Sequence, residues 1–482
     1  MGFSYAAFGC VAAAALSALS LGLDVGMISS TLVQPSFIAY FNEPSPAQIG
    51  GIVSAFSAGA TVGAFGCAFI ADRFGRIQGF FTGAIVVVLG CALQAGAVNV
   101  GMLIAGRLIT GLGAGQLTAV LPVYASELAP ASIRGALGGL QMVGIETAIF
   151  LATAIGYAFG THYTGDIQWR APLALQMLPV LLLVAVTFFL PESPRWLVQR
   201  GREEQAIKVL NRLHRSQGAD FVQAEFLEIK AQLDAEKHHE EPSWKEIWTR
   251  KSYRKRIFLS CLLQWLAQLT GINCIQYYAS TIFSLLGFST TTSLALNLLY
   301  GAFGLLFTLF WVGIIDRLGR RPALIFSSLL AGAALLIQAV LSQVYLTKDV
   351  VPVNGLRAQV AMFYIFNLGF VCVGMLAWLI PAEMMPYNIR AKGTSISVAN
   401  NNIAGIVVAQ VSPIALSAIS FKFFYVFVAA DIVAAVCYFF LFPETSRLTL
   451  EQMNQVFGDM EIEPKVKGTE VWIDSVENKS MA

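Results

Sequence analysis

The chain has 482 residues, of which 56% are hydrophobic and only 12% charged, and its formal net charge is +2. Soluble domains carry about twice that share of charged side chains, so the composition excludes an ordinary soluble protein and points to a polytopic helical membrane protein embedded in a lipid bilayer. A near-neutral balance spread along the chain gives no footprint for nucleic acid, and no nucleic-acid partner is expected.

The seven cysteines (Cys10, Cys67, Cys91, Cys261, Cys274, Cys372 and Cys437) all fall inside apolar stretches without paired loop spacing, which argues against a disulfide framework or a metal site. Three of the four histidines (His214, His238 and His239) share one polar loop and form no ligand cluster. No enzyme motif is present, so the expectation is a protein that is not an enzyme and takes no cofactor and no metal.

Stretches long enough to cross about 30 Å of hydrocarbon lie near 6–32, 48–70, 79–98, 102–123, 137–160 and 171–190. After a polar segment, six more lie near 257–286, 294–315, 322–345, 359–381, 393–418 and 422–442. The first is apolar from Ala6 to Leu23 but lacks the basic start of a secretory signal and runs on past Asp24, so it reads as a span. The expected division is a six-span bundle over 1–190, cytoplasmic linker helices over 191–256, a second six-span bundle over 257–442 and a cytoplasmic tail over 443–482. Amphipathic runs such as that from Arg202 to His214 make the linker helical.

An even number of spans puts both termini on one side. Arg170, Lys348, Arg357 and Lys422 fall on the opposite side and Arg107 within a span; all other Lys and Arg residues fall on the side of the termini. The positive-inside rule therefore makes both termini cytoplasmic. The halves also repeat one another. The segment from Ala71 to Arg76 (ADRFGR) returns from Ile315 to Arg321 (IDRLGRR), that from Glu127 to Gly135 (ELAPASIRG) returns from Glu383 to Ala391 (EMMPYNIRA), and PESPR from Pro191 returns as PETSR from Pro443. The order is kept, and each pair follows the second, fourth or sixth span of its half. Same-orientation repeats imply two pseudo-symmetric six-helix bundles related by an axis along the membrane normal, with a solute site between them.

Within this all-α membrane protein a few polar side chains stand out at membrane depth. An ionisable group in the middle of an apolar span costs roughly 2.5–3.5 kcal/mol even on a lenient insertion scale, which makes Asp24 a candidate for a role or a partner. Arg107, in the fourth span, is the cation available to it. The pair reads either as a fixed structural ion pair or as a proton switch that protonation opens. The stretch from Cys261 to Phe283 carries Gln264, Gln268, Thr270, Asn273 and Gln276. Gln264 and Gln268 share one helical face, Thr270-Gly271 loosens the helix, and amides supply both donors and acceptors for a neutral polyhydroxylated solute.

The two D-R-x-G-R loops, the run from Gly106 to Gly135 (GRLITGLGAGQLTAVLPVYASELAPASIRG), PESPRWL, QLTGINCIQYY from Gln268 and PETSR together resemble the sugar porter family of the major facilitator superfamily, in a fungal style, over almost the whole length. The resemblance implies the major facilitator fold with 12 transmembrane helices. It places the proton-coupling pair at Asp24 and Arg107, hence symport, although some members keep the Asp and are facilitators. Solute-binding positions map to Gln141, Gln268, Asn273, Trp378 and Asn401, with Asn402 and Gln264 beside them; Tyr277 and Tyr278 fall where an outer gate closes. Four positions depart from the pattern: Ala267 and Ala148 where Gln is usual, Gly304 where an eighth-span Asn is frequent, and Asn402 where a Trp is expected. An ordinary glucose or xylose preference is therefore not expected. Glu146 and Asp431 are further carboxylates at membrane depth; Glu146 reads as a second protonation or recognition group or as structural, and Asp431 as structural.

A cytoplasmic charge network is expected from Asp72, Arg73, Arg76, Glu127, Arg134 and Glu192 beneath the first half. Asp316, Arg317, Arg320, Glu383, Arg390 and Glu444 form its counterpart beneath the second. The function read from all this is a plasma-membrane carrier, working as a monomer by alternating access and importing a neutral sugar or polyol with a proton. A facilitator, a carrier of a sugar acid, quinate-like compound or secondary metabolite, and a non-transporting nutrient sensor stay open as alternatives.

Overall fold

The computed structural model describes residues 5–128, 134–214, 218–238, 244–345, 352–386, 389–446 and 450–458; the side chains of a few helical residues, Arg134 and Asp316 among them, lie outside the described set. Among the described residues the regular structure is all helical.

In chain order the spanning helices are α1 (Leu16–Thr31, preceded by Tyr5–Ala14), α2 (Pro46–Phe74), α3 (Arg76–Ala95), α4 (Val100–Leu128), α5 (Arg134–His162) and α6 (Ile167–Leu175 continuing as Met177–Thr187). The second set is α7 (Lys251–Leu269 and Ile272–Leu285), α8 (Thr290–Leu318), α9 (Arg320–Tyr345), α10 (Val353–Met384), α11 (Arg390–Ile419) and α12 (Phe424–Leu441). Among the described residues eleven apolar stretches are long enough to cross a bilayer, and the last, Lys392–Leu441, is 50 residues long. A 3-10 turn at Ser420–Phe423, entered through Ser420 at φ 52, divides it into α11 and α12, which makes twelve spans. Several helices run beyond the expected spans. The sequence window ends α2 near 70, whereas the helix continues to Phe74 through Asp72 and Arg73, because backbone bonding does not stop where hydropathy does.

The repeat seen in the sequence recurs in the packing. In the first bundle α2 packs on α4, α3 on α4, α1 on α5 and α3 on α6. In the second, α8 packs on α10, α9 on α10, α7 on α11 and α9 on α12, the same set shifted by six helices. Between the bundles α2 meets α11 and α5 meets α8, which a two-fold axis exchanges, while α1 meets α7.

Close approach in the first bundle rests on glycine. A Cβ on Gly111 would run into the Phe56 carbonyl and one on Gly115 into that of Ala60, while Gly59 and Gly63 press equally hard on the Leu108 and Leu112 carbonyls. Two small-xxx-small pairs thus face each other along α2 and α4, the arrangement by which helices gain dispersion contact where lipid supplies no hydrophobic drive.

Four short helices (Pro194–Gln199, Glu203–Leu213, Ala219–His238 and Trp244–Thr249) form the linker. They have an apolar core of their own, with Trp196, Leu197, Ala206, Leu210, Val222 and Phe226 buried. Trp196 Nε1 and Arg200 Nη2 both donate to the Asp72 carbonyl, at 2.9 and 2.8 Å, and tie the linker to the end of α2.

Candidate functional site

The α2–α4 seam places Arg107 deep in the first bundle. Its Nη1 donates to Asp24 Oδ1 at 2.5 Å, and both side chains are fully buried. Nε and Nη2 donate to the Ile52 and Val53 carbonyls of α2 at 2.9 and 3.5 Å, and the guanidinium lies 5.3 Å from the centre of the Phe56 ring. Asp24 Oδ2 has no partner among the described residues. Arg107 is thus anchored to α2 whether or not Asp24 is charged, whereas α1 is held to it through one carboxylate oxygen.

The amides of the second bundle form a relay. Gln264 Nε2 donates to the Ala377 carbonyl of α10 at 2.8 Å and to Ser397 Oγ at 3.2 Å. Asn401 Nδ2 donates to Gln264 Oε1 at 2.7 Å, and Gln268 Nε2 donates to Asn401 Oδ1 at 3.1 Å. The relay ends at Gln268 Oε1, an acceptor without a partner among the described residues. Gln264 is buried and its bonds knit α7, α10 and α11 together, while Gln268 and Asn401 are partly exposed. Trp378 follows Ala377 directly and is 38% exposed, although every residue from Val371 to Ala377 is buried. The exposed Trp378 is thus the chain neighbour of the carbonyl that anchors the relay.

Beyond the relay α7 breaks. Gly271 adopts φ 91, and a Cβ there would lie 2.6 Å from the Phe427 ring, so both backbone and packing require glycine. The next helix carries Asn273, partly exposed, whose Nδ2 lies 2.9 Å from where Gly405 would have a Cβ. Tyr277 is buried and interacts with Ser57 of α2, across the bundle boundary. Tyr278 is also buried, sits at a second irregularity (φ −113°, ψ 16°), and donates to the Ala409 carbonyl of α11 at 2.9 Å, within its own bundle. Gln141 and Asn402 are partly exposed and make no side-chain hydrogen bond among the described residues. Ala148 is fully buried, 2.7 Å from the Cβ position of Gly22, so it faces α1 rather than the inter-bundle space.

Direct hydrogen bonds between the bundles, among the described residues, sit at the end remote from the linker. Ser54 Oγ donates to Gln410 Oε1 at 2.9 Å, Gln410 Nε2 to the Ala47 carbonyl at 3.2 Å, and Asn297 Nδ2 to Ser29 Oγ at 3.3 Å. That end is zipped by these bonds.

At the linker end the charges group bundle by bundle. Arg76 holds Glu127 through two bonds of 3.0 and 2.8 Å and Asp72 at 2.9 Å. Arg320 holds Glu383 at 3.1 Å, and Thr445 Oγ1 donates to the other Glu383 oxygen at 2.5 Å. Sequence pattern alone did not show what the repeated P-E-[ST] segments do. Glu192 accepts from the backbone N–H groups of Arg76 and Ile77 (2.9 and 3.3 Å), and Glu444 from those of Arg320 and Arg321 (2.8 and 3.1 Å). Each carboxylate therefore caps the orphan donors and positive dipole end of α3 or α9 from far away in sequence. Burial pushes the Glu192 carboxyl above its ordinary range despite those bonds. Burial also acts upward on Glu444, but four backbone N–H donors outweigh it and hold that carboxyl below its ordinary value. Arg73 lies outside this network, its guanidinium resting over Phe69 and Phe74, and Arg317 is exposed. Arg390 donates to the Met385 carbonyl at 3.3 Å. The side chains of Arg134 and Asp316 lie outside the described residues.

A family model described as "Sugar (and other) transporter" matches residues 10–457. An MFS-type transporter, criB of Aspergillus cristatus, is 34% identical over 93% of both chains. The galactose-proton symporter of Escherichia coli K12 is 32% identical over 92% of both, and a high-affinity glucose transporter of Kluyveromyces lactis is 30% identical over 92% of this chain and 84% of its own. The inward-open structure of the E. coli xylose transporter XylE superposes with a TM-score of 0.77 at 23% identity, covering 93% of this chain and 99% of that one, which establishes the shared fold. A twelve-helix, two-bundle protein with this match along nearly its entire length belongs to the sugar transporter family of the major facilitator superfamily.

Proposed function

We propose that the chain imports a neutral sugar or polyol together with a proton by alternating access, with the linker end facing the cytoplasm of a plasma-membrane-located monomer. The observation that carries this reading is the Asp24–Arg107 pair: a carboxylate with one free oxygen, fully buried, against an arginine independently anchored to α2. Protonating Asp24 removes its charge and releases α1 from α4, while Arg107 keeps its two carbonyls. Because α1 also packs on α5 and on the broken α7, that release reaches both bundles. The solute is held between Gln141 of the first bundle and the Gln268–Asn401 relay, Asn273 and Trp378 of the second. There the indole offers a flat apolar face to the C–H side of a ring, and the free amide groups meet its hydroxyls. The 32% identical galactose-proton symporter supports the coupling.

The test is uptake of labelled hexoses, pentoses and polyols in a cell lacking its own carriers, with and without a protonophore. Accumulation above the external concentration, collapsing on protonophore addition, is expected. Equilibration without accumulation would instead make the protein a facilitator. Transport confined to sugar acids would replace the substrate class.

A further inference from the structure

The coupling scheme leaves two buried carboxylates unused, Glu146 and Asp431, and Glu146 is the one that faces the other bundle. Glu146 of α5 is 7% exposed, and no hydrogen bond or charged partner reaches its carboxylate among the described residues. The Arg107 guanidinium is occupied by Asp24 and by α2. Opposite Glu146 on α8 stands Gly304, where a Cβ would lie 2.7 Å from Glu146 Oε2 and 3.3 Å from Asn367 Nδ2 of α10. Any side chain at 304 would claim the space that the carboxylate fills. Asn367 donates one amide hydrogen to the Tyr300 carbonyl at 3.2 Å, which fixes the amide at this notch and leaves its second N–H free. Tyr300, one turn before Gly304, has a buried hydroxyl without a partner among the described residues. One turn toward the zipped end, Gly301 presses on Thr153 Oγ1 (2.8 Å from its Cβ position) and Phe150, closing that side. A carboxylate of the first bundle and an amide of the second thus converge on Gly304.

We infer that Glu146 and Asn367 form a specificity-determining pair for the solute: the carboxylate crosses from the first bundle into the notch left by Gly304 and reads a hydroxyl there. The ligand class is a polyhydroxylated ring or chain with two neighbouring hydroxyls, one donating to Glu146 and the next accepting the free N–H of Asn367. A solute lacking either hydroxyl would leave buried polar groups unpaired, so this contact discriminates between hydroxyl patterns.

The inference rests on the carrier reading, and the experiment separates the two. Purified protein in proteoliposomes is assayed by solute exchange, which needs no proton gradient, with D-glucose, D-galactose, D-xylose, D-sorbitol and myo-inositol. The best of these is then compared with its series of monodeoxy analogues, in the wild type and in Glu146→Gln, an isosteric change that keeps the packing against Gly304. The wild type should disfavour one analogue by about tenfold or more in KM. Glu146→Gln should raise KM for the parent solute by a similar factor while leaving that analogue nearly unchanged. Equal ranking of all analogues in both proteins overturns the inference. Exchange of none of the five solutes by the wild type overturns the carrier reading and the inference with it. Should Glu146→Gln fail to reconstitute, Gly304→Ala, which pushes the carboxylate aside, is read in the same way, and an unchanged ranking there is equally contrary.

Discussion

Asp24→Asn is expected to abolish uphill accumulation while leaving downhill exchange of the same solute intact. The amide fits where the carboxylate was but cannot lose or gain a proton in the working range, so the pair with Arg107 no longer alternates between charged and neutral. A proton entering with the solute contributes about 2.3 kcal/mol per 100 mV, a concentration ratio of about fifty, and this is the ratio the variant should lose. The complementary change behaves differently. Arg107→Leu leaves Asp24 buried without its cation and is expected to cost about 3–5 kcal/mol, because a buried charge that loses its partner keeps its desolvation penalty. Adding Asp24→Asn to Arg107→Leu should restore much of the thermal stability in detergent without restoring accumulation. A double variant no more stable than Arg107→Leu alone would mean that the pair is not the unit described here.

The second large effect lies in the α2–α4 seam. Gly115→Val places side-chain atoms where the Ala60 carbonyl stands, and neither helix can yield without losing the parallel contacts at Gly59, Gly63 and Gly111. A destabilisation of about 3 kcal/mol or more is expected, read as loss of the monodisperse peak in size-exclusion chromatography and a lowered melting temperature. Gly66→Ala is the control. Nothing lies within 4 Å of its Cβ position, and helix propensity favours alanine by about 1 kcal/mol, so it should be neutral or slightly stabilising. Equal stability of the two variants would remove the seam as the device that positions Arg107.

Much of this was legible in the sequence because membrane depth makes polar groups conspicuous. Asp24 and Arg107 stood out as charges in apolar spans, and they meet. Thr270-Gly271 read as a loosened helix, and the helix breaks there. Other features needed tertiary contacts. Gln264 and Gln268 share a face, but only the packing of α10 and α11 makes Gln264 a fully engaged link and leaves Gln268 with a free oxygen. In the sequence Gly304 reads as a lost hydrogen-bonding group, whereas Glu146, far away in the chain, occupies its place. The paired spacings Gly59/Gly63 and Gly111/Gly115 were a signal present in the sequence, but glycine is frequent in membrane helices, and only their facing one another gives them meaning. Glu192 and Glu444 show the same limit: a motif marks them as special, while the helix ends they cap lie more than a hundred residues away.

The central claim is that two bundles part and rejoin around a shared site, and the zipped end offers its most direct test. In a background free of the seven native cysteines, cysteines are placed at Ser54 and Gln410, whose side chains bond at 2.9 Å. Bridging the two thiols with a bis-methanethiosulfonate reagent should stop net uptake, and reduction should restore it, because solute enters from that side only when α2 and α11 separate. Undiminished uptake by fully cross-linked protein would contradict the account.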